Sequence, residues 1–242
     1  MFNLNGKTAL VTGSTQGIGF EIAKQLSVHG AHVFVHGATS VEKCREASSQ
    51  IENAVPVLAD LSREDGPELL YRATGDVDIL VLNASVQIRK DFFEITADEF
   101  DRQIQTNFKS TLMLMQKYIP YMKLQQWGRV VTVGSVNQYK QHPAMAAYAA
   151  SKSAQLNLAQ NAARQFAAYG ITVNNVAPGV IATSRNEDAL ADAAYRKKVL
   201  SGIPCGYVGE ERDIAPMVLL LCSQEGRYIT GTDIIIDGGM HL

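Results

Sequence analysis

Short apolar runs alternate along this chain with longer stretches of helical spacing. Thr8-Ala9-Leu10-Val11 is a strand, and Ile18, Ile22 and Leu26 then recur at helical intervals over Ile18–Leu26. His32–Val35 is a second strand and 41–51 a second helix. Val55–Leu58 and Asp78–Leu82 are the third and fourth strands. A long helical pattern runs from about Ala97 to Leu124. Arg129–Val133 is a fifth strand, followed by a helix over roughly Ala147–Tyr169. Ile171–Val176 and Asp233–Ile236 are the sixth and seventh. Strands that are apolar throughout are buried on both faces, which calls for parallel strands covered by helices. The expected fold is therefore α/β, a Rossmann-type doubly wound parallel sheet of about seven strands with helices on both faces. No Gly/Ser/Pro linker divides the chain, so 1–242 reads as a single domain. The stretch Ile181–Gly209 is the least regular and is expected to be the substrate lid.

Composition removes several classes of function. The 242 residues carry a formal charge of −2, and no basic run offers an electrostatic footprint for nucleic acid. No apolar run reaches the roughly 18 residues of a membrane span. Cys44, Cys205 and Cys222 are scattered and form no CxxC, which argues against a disulfide framework and against a metal site. The first residues lack signal-peptide architecture. A cytoplasmic protein without metal, nucleic-acid or membrane partners is expected.

Two stretches carry chemistry. Thr12-Gly13-Ser14-Thr15-Gln16-Gly17-Ile18-Gly19 joins the first strand to the first helix. Glycines there permit a sharp turn and a close approach of backbone amides to a pyrophosphate, and the helix N-terminus favours the anion. The spacing is G-x-x-x-G-x-G. The loop after the second strand, His36-Gly37-Ala38-Thr39-Ser40, contains no acid. An acid there would favour NAD and repel a 2′-phosphate. His36, Thr39 and Ser40 could instead donate to a phosphate, so the cofactor reading leans toward NADP, with NAD as the alternative. The second stretch is Tyr148-Ala149-Ala150-Ser151-Lys152. Residues four apart on a helix share a face. A phenol ionises near pH 10, and a nearby ammonium favours the phenolate. Ser135, after the fifth strand, could hold a substrate oxygen. That set supplies an acid/base, a cation and an oxyanion partner. Taken alone, Tyr-x-x-x-Lys is a common surface pair.

Its company is specific. The glycine loop, Asp60-Leu61, Asn83-Ala84, Asn107, Ser135, Tyr148/Lys152, Pro178-Gly179, Ile229-Thr230-Gly231 and Asp237-Gly238-Gly239 stand in the order and spacing of the short-chain dehydrogenase/reductases. The chain resembles compact members of that family over essentially its whole length. The resemblance implies that Tyr148 donates the proton in reduction and accepts it in oxidation, and that Lys152 also binds the nicotinamide ribose. It further implies that Ser135 orients the carbonyl, and that Asn107 holds a water in a proton relay from Lys152. Asp60 would contact the adenine edge, Asn83 the ribose and sheet, and Pro178, Gly179 and Thr183 the carboxamide. A homotetramer built through the long helices and the C-terminal segment is implied too. Ser85 stands where the family has glycine after Asn-Ala, and Gln16 where NADP-dependent members often have a cation. Either change bears on the cofactor crevice.

Among family members the chain looks most like β-ketoacyl carrier-protein reductases and gluconate or sugar-alcohol dehydrogenases. Arg129 matches a basic contact for the acidic carrier, while Tyr169 replaces a second one. Substrate contacts are expected from 85–90, 136–144 and the lid, where Gln87, Asn137, Gln138, Gln141 and His142 are polar and Arg185 could meet a carboxylate. A β-ketoacyl thioester and a sugar, polyol or keto acid both remain candidates. A non-catalytic dinucleotide-binding sensor or scaffold is the other class of function, and the intact set Asn107, Ser135, Tyr148, Lys152 argues against it.

Overall fold

In a computed structural model, which describes residues 2–242, the alternation of apolar positions sorts side chains to the two faces of one sheet. The strands are β1 (Thr8–Val11), β2 (His32–Gly37), β3 (Ala54–Leu58), β4 (Ile79–Leu82), β5 (Gly128–Val133), β6 (Ile171–Pro178) and β7 (Asp233–Ile236). They form one parallel sheet in the order β3-β2-β1-β4-β5-β6-β7. The helices are α1 (Gly17–Val28), α2 (Val41–Ser49), α3 (Gly66–Thr74), α4 (Ala97–Ile104), α5 (Ser110–Gln125), α6 (Ala146–Phe166), α7 (Ser184–Ala191), α8 (Ala193–Ser201) and α9 (Glu211–Cys222). Ala9, Val11, Ile79, Val81, Val131 and Val133 pack with residues of α1, α2 and α9. The intervening Leu10, Leu80, Leu82 and Val130 face α3, α5 and α6. Both faces of each central strand are thus dry, as the unbroken apolar runs require.

Three expectations change. The helical pattern over 97–124 is interrupted by a π-helical turn, Gln105–Lys109, which turns Thr106 and Asn107 into the interior. The segment over 66–74, assigned no element from sequence, is α3, with a proline in its first turn. The lid is not irregular. It contains α7 and α8, and its base is closed by a bridge between Ile181 and Gly209, with Ala182 N donating to Gly209 O at 2.8 Å.

No helix among the described residues is long and apolar enough to cross a membrane. Cys44 and Cys222 are buried and Cys205 is exposed, all three as free thiols.

Candidate active site

The sheet order steps from β1 outward in both directions, and the crevice at that switch point opens at the C-terminal ends of β1 and β4. The glycine-rich loop crosses it. Gly13 and Gly17 have φ of +62° and +61°, a region that strains residues with side chains. Gly19 is required for space: a Cβ there would stand 2.4 Å from Gly13 O and 2.5 Å from Asn83 Nδ2. Asn83 Nδ2 donates to the carbonyls of Thr12 and Gly13, each at 2.9 Å. Thr12 Oγ1 accepts from the amides of Asn83 and Ala84, each at 3.0 Å. Asn83 and Ala84 therefore tie β4 to the loop. The first turn of α1 has no acid and no side-chain cap, so its free N–H groups and positive pole suit a pyrophosphate.

At the adenosine end the structure corrects the sequence reading. His36 is buried. Its Nδ1 accepts from Gly13 N at 3.0 Å, and its Nε2 faces Ala59 O at 2.8 Å. Both ring nitrogens are engaged, so the imidazole braces the loop from beneath and is not a phosphate donor. Ser14 is equally committed, donating to Val11 O at 2.6 Å and accepting from His36 N at 2.9 Å. Ser40 caps α2, accepting from Lys43 N at 3.2 Å. Gly37 is packed by Cys44 and Thr15, whose Sγ and Cγ2 would lie 2.6 and 2.9 Å from a Cβ. Ala38 and Thr39 are exposed, which leaves Thr39 as the side-chain donor facing outward. Asp60 Oδ1 accepts from Ser62 N and Oγ at 2.9 and 2.7 Å. Leu61 places its side chain in the core and offers only backbone to a ligand.

The catalytic candidates converge. Ser135 follows β5, where its Oγ accepts from Asn137 N at 3.2 Å and keeps its own proton to donate. Tyr148 and Lys152 share a face of α6, with Lys152 Nζ 6.0 Å from the centre of the Tyr148 ring. Lys152 is buried, and its Nζ donates to Val133 O at 2.6 Å and Gln155 Oε1 at 3.0 Å. Burial, and secondarily the positive charge of Arg185, push its pKa down to about 7. Ser135, Tyr148, Pro178, Gly179 and Thr183 line one cavity of about 620 Å³ with Gly13, Gln16–Gly19 and Asn83.

Asn107, expected from the resemblance to hold a water in a relay from Lys152, has protein partners on its side chain. Its Oδ1 accepts from Val86 N at 2.7 Å, and its Nδ2 donates to Val86 O and Ser151 Oγ at 2.9 and 3.0 Å. Its side chain thus fastens the loop after β4 to α6. Its carbonyl accepts from Thr111 Oγ1 at 3.0 Å. Gln155 Nε2 donates to Thr111 Oγ1 at 2.9 Å, so the line from Lys152 to the Asn107 carbonyl runs through Gln155 and Thr111. A flipped amide would turn a donor toward Lys152, which fixes the orientation of Gln155. Sequence reading missed Gln155. Its sequence signal is an amide one turn beyond Lys152 in an alanine-rich helix; that the amide is fully buried is seen only in the structure.

Gln155→Leu removes one of the two acceptors on Lys152 and is expected to slow turnover about tenfold, the cost of a lost charge-assisted hydrogen bond. If the ammonium form is required, the descending limb of the pH profile moves to lower pH in Gln155→Leu and to higher pH in Gln155→Glu. A parallel loss without opposite shifts would make Gln155 a packing residue only.

A glycine loop on a helix N-terminus, beside a serine, a tyrosine and a buried lysine, defines a dinucleotide-dependent oxidoreductase. A family model described as enoyl-(acyl carrier protein) reductase matches residues 13–241. The 3-oxoacyl-[acyl-carrier-protein] reductase of Haemophilus influenzae is 37% identical over 245 residues, 99% of this chain and 100% of that protein. Among solved structures, a protein provisionally assigned as a gluconate dehydrogenase from Agrobacterium tumefaciens superposes with a TM-score of 0.95. It is 29% identical, with 99% of this chain and 98% of that chain covered. A 3-oxoacyl (acyl-carrier-protein) reductase from A. tumefaciens C58 with NADP bound gives a TM-score of 0.94 at 37% identity, covering 98% and 95%. The chain belongs to the short-chain dehydrogenase/reductase family and is an NAD(P)-dependent oxidoreductase.

The structure also moves one residue away from its sequence-based role. Arg129 is buried. Its Nε donates to Ser223 O at 3.1 Å, and its Nη1 to Gly128 O and Gly170 O at 2.8 and 3.2 Å. It does not reach the surface where an acidic carrier would dock.

Proposed function

We propose that the protein interconverts a carbonyl and a secondary alcohol on a small substrate, with Tyr148 as the acid/base, Lys152 and Ser135 as its partners and NADP as the preferred dinucleotide. The convergence of Ser135 and Tyr148 on one cavity with the glycine loop, with the buried Lys152 beside Tyr148 on α6, carries this reading. When bound, the nicotinamide supplies or accepts the hydride. Ser135 Oγ holds the substrate oxygen by hydrogen bonding. Tyr148 Oη gives that oxygen a proton in reduction and takes one from the alcohol in oxidation. The Lys152 ammonium, held by Val133 O and Gln155, stabilises the phenolate and reaches the ribose. Asn107 positions the loop bearing Ser85 and Val86.

The pyrophosphate falls to the Gly13–Gly19 backbone, the adenosine to 37–39, Asp60 and the Leu61 backbone, and the carboxamide to Pro178, Gly179 and Thr183. The acid-free loop after β2 and the NADP held by one structural neighbour both support NADP. The protein is cytoplasmic, with 1–242 as one domain. It is a homotetramer; Phe92, Phe93 and Phe100, exposed before and on α4, support association.

NADPH oxidation with an acetoacetyl thioester, beside the same assay with NADH, tests both cofactor and substrate. NADPH-selective turnover is expected of a β-ketoacyl reductase. Silence with both dinucleotides redirects the search to sugar and keto-acid substrates, and equal rates overturn the NADP preference.

A further inference from the structure

The cavity carries one sign of charge. Arg89, Lys140, Arg185, Lys198 and His142 line it, and among the described residues no Asp or Glu does. The chain as a whole has 24 acids against 22 Lys and Arg, so this is a local concentration. Lys140 is engaged internally, donating to Met240 O at 2.7 Å. The other three cations belong to none of the ion pairs among the described residues.

Arg185, in the first turn of α7, reaches across from the lid to the segment after β4. Its Nη1 donates to Ser85 Oγ at 3.0 Å and its Nη2 to Ser85 O at 2.9 Å. Ser85 is the residue where the family pattern has glycine, and its hydroxyl supplies one of these two acceptors. A guanidinium held by two neutral oxygens keeps its full charge and its remaining donors. Its rotamer freedom is already lost before a ligand arrives. Its field is felt at Lys152, whose pKa falls chiefly by burial and then through Arg185. Elsewhere on the cavity lining, Arg89 lies 6.0 Å from the ring of Tyr195 in α8, and Lys198 follows one turn later. His142 is shifted down by burial first, then by the charges of Arg89 and Lys198, which places the three as neighbours.

Resting on the oxidoreductase reading above, we propose that the substrate is a small hydroxy or keto acid whose carboxylate is held between Arg185 and the Arg89–Lys198 wall. The reacting carbon then faces Ser135 and Tyr148. A planar guanidinium matches a carboxylate bidentately. The cavity of about 620 Å³ must also admit the nicotinamide end, which leaves space for a short chain. Charge of one sign at its mouth steers such an anion inward and weakens with salt.

Calorimetric titration of the full chain with NADPH present, a pairing in which a hydroxy acid cannot be oxidised, decides the point independently of turnover. Aldonates of four to six carbons are compared with alditols of the same length, and with a sugar phosphate. The expected result is that the best aldonate binds at least tenfold tighter than its alditol. Arg185→Ala should collapse that ratio toward one, and Ser85→Gly, which removes one acceptor from the fork, should reduce it several-fold. Equal affinity for aldonate and alditol overturns the proposal, as does a sugar phosphate that outbinds every carboxylate. Turnover assays on keto acids and their methyl esters separate the two readings. If neutral esters are reduced as fast as the acids, the carboxylate site is wrong while the oxidoreductase stands. If aldonates bind but no carbonyl compound is turned over, the carboxylate site stands and the catalytic reading fails.

Discussion

Tyr148→Phe is expected to lower kcat about 10³-fold, roughly 4 kcal/mol of transition-state stabilisation, with NADPH affinity weakened no more than a few-fold. The substitution removes one oxygen and leaves the ring, which packs as a buried side chain on α6. The fold, the glycine loop and the acceptors on Lys152 at Val133 O and Gln155 are untouched. What is lost is the one group placed to exchange a proton with an oxygen held by Ser135. Water can supply a proton, but without the fixed geometry, and positioned general acids contribute about 10²–10⁴-fold. Single-turnover kinetics with NADPH and the best available carbonyl, beside fluorescence titration of the dinucleotide, would make the comparison. A variant that kept most of its turnover would show that the proton travels by another route. Retained biological activity with unchanged dinucleotide binding would instead point to the sensor class.

Much of the fold was legible because its central strands are dry on both faces. β1 and β7 occupy the spans expected from their apolar runs; Ala9, Leu10 and Val11 are buried in succession, while the residues of the edge strand β7 are half-buried. The lid was not legible. Among the described residues of α7 and α8 only Val199 is buried, so these helices cover a cavity, present no apolar stripe and give no periodic signal. The π-helical turn was hidden for the opposite reason: helical periodicity continues through it, and the extra residue shows only in where Asn107 points. In the site, local pairs were readable and distant ones were not. Tyr148 and Lys152 are four apart on one helix, which sequence spacing exposes. The contacts Gln155–Thr111 and Arg185–Ser85 span 44 and 100 residues, and no local rule brings them together. His36 was seen in the right place with the wrong role, because sequence cannot tell a solvated loop histidine from one enclosed between a strand and a turn.

That enclosure makes acid stability the second large effect. Burial pushes the His36 pKa down to about 4, against smaller upward effects from the Ala59 carbonyl and Asp60. Gly13 N can only donate and Ala59 O can only accept, so the two neighbours select the neutral tautomer with its proton on Nε2. In the unfolded chain the same imidazole titrates near 6.5. Between these values the unfolded state binds more protons, so stability is full above pH 6.5 and falls as the pH drops toward 4. The loss from this one group is about 3 kcal/mol. Carboxylates titrate in part of the same window, so the measurement is comparative: urea unfolding of the wild type and His36→Asn at half-unit steps from pH 7.5 to 4. The variant is expected to start less stable and to lose about 3 kcal/mol less on acidification. Dinucleotide affinity, a property of the folded state, should hold through that window in the wild type and fall only as the pH nears 4. A protonated His36 cannot accept from Gly13 N, and the turn that holds the phosphates loses its brace. Parallel stability curves for the two proteins would place the acid sensitivity elsewhere and return His36 to the role of an inert packing residue.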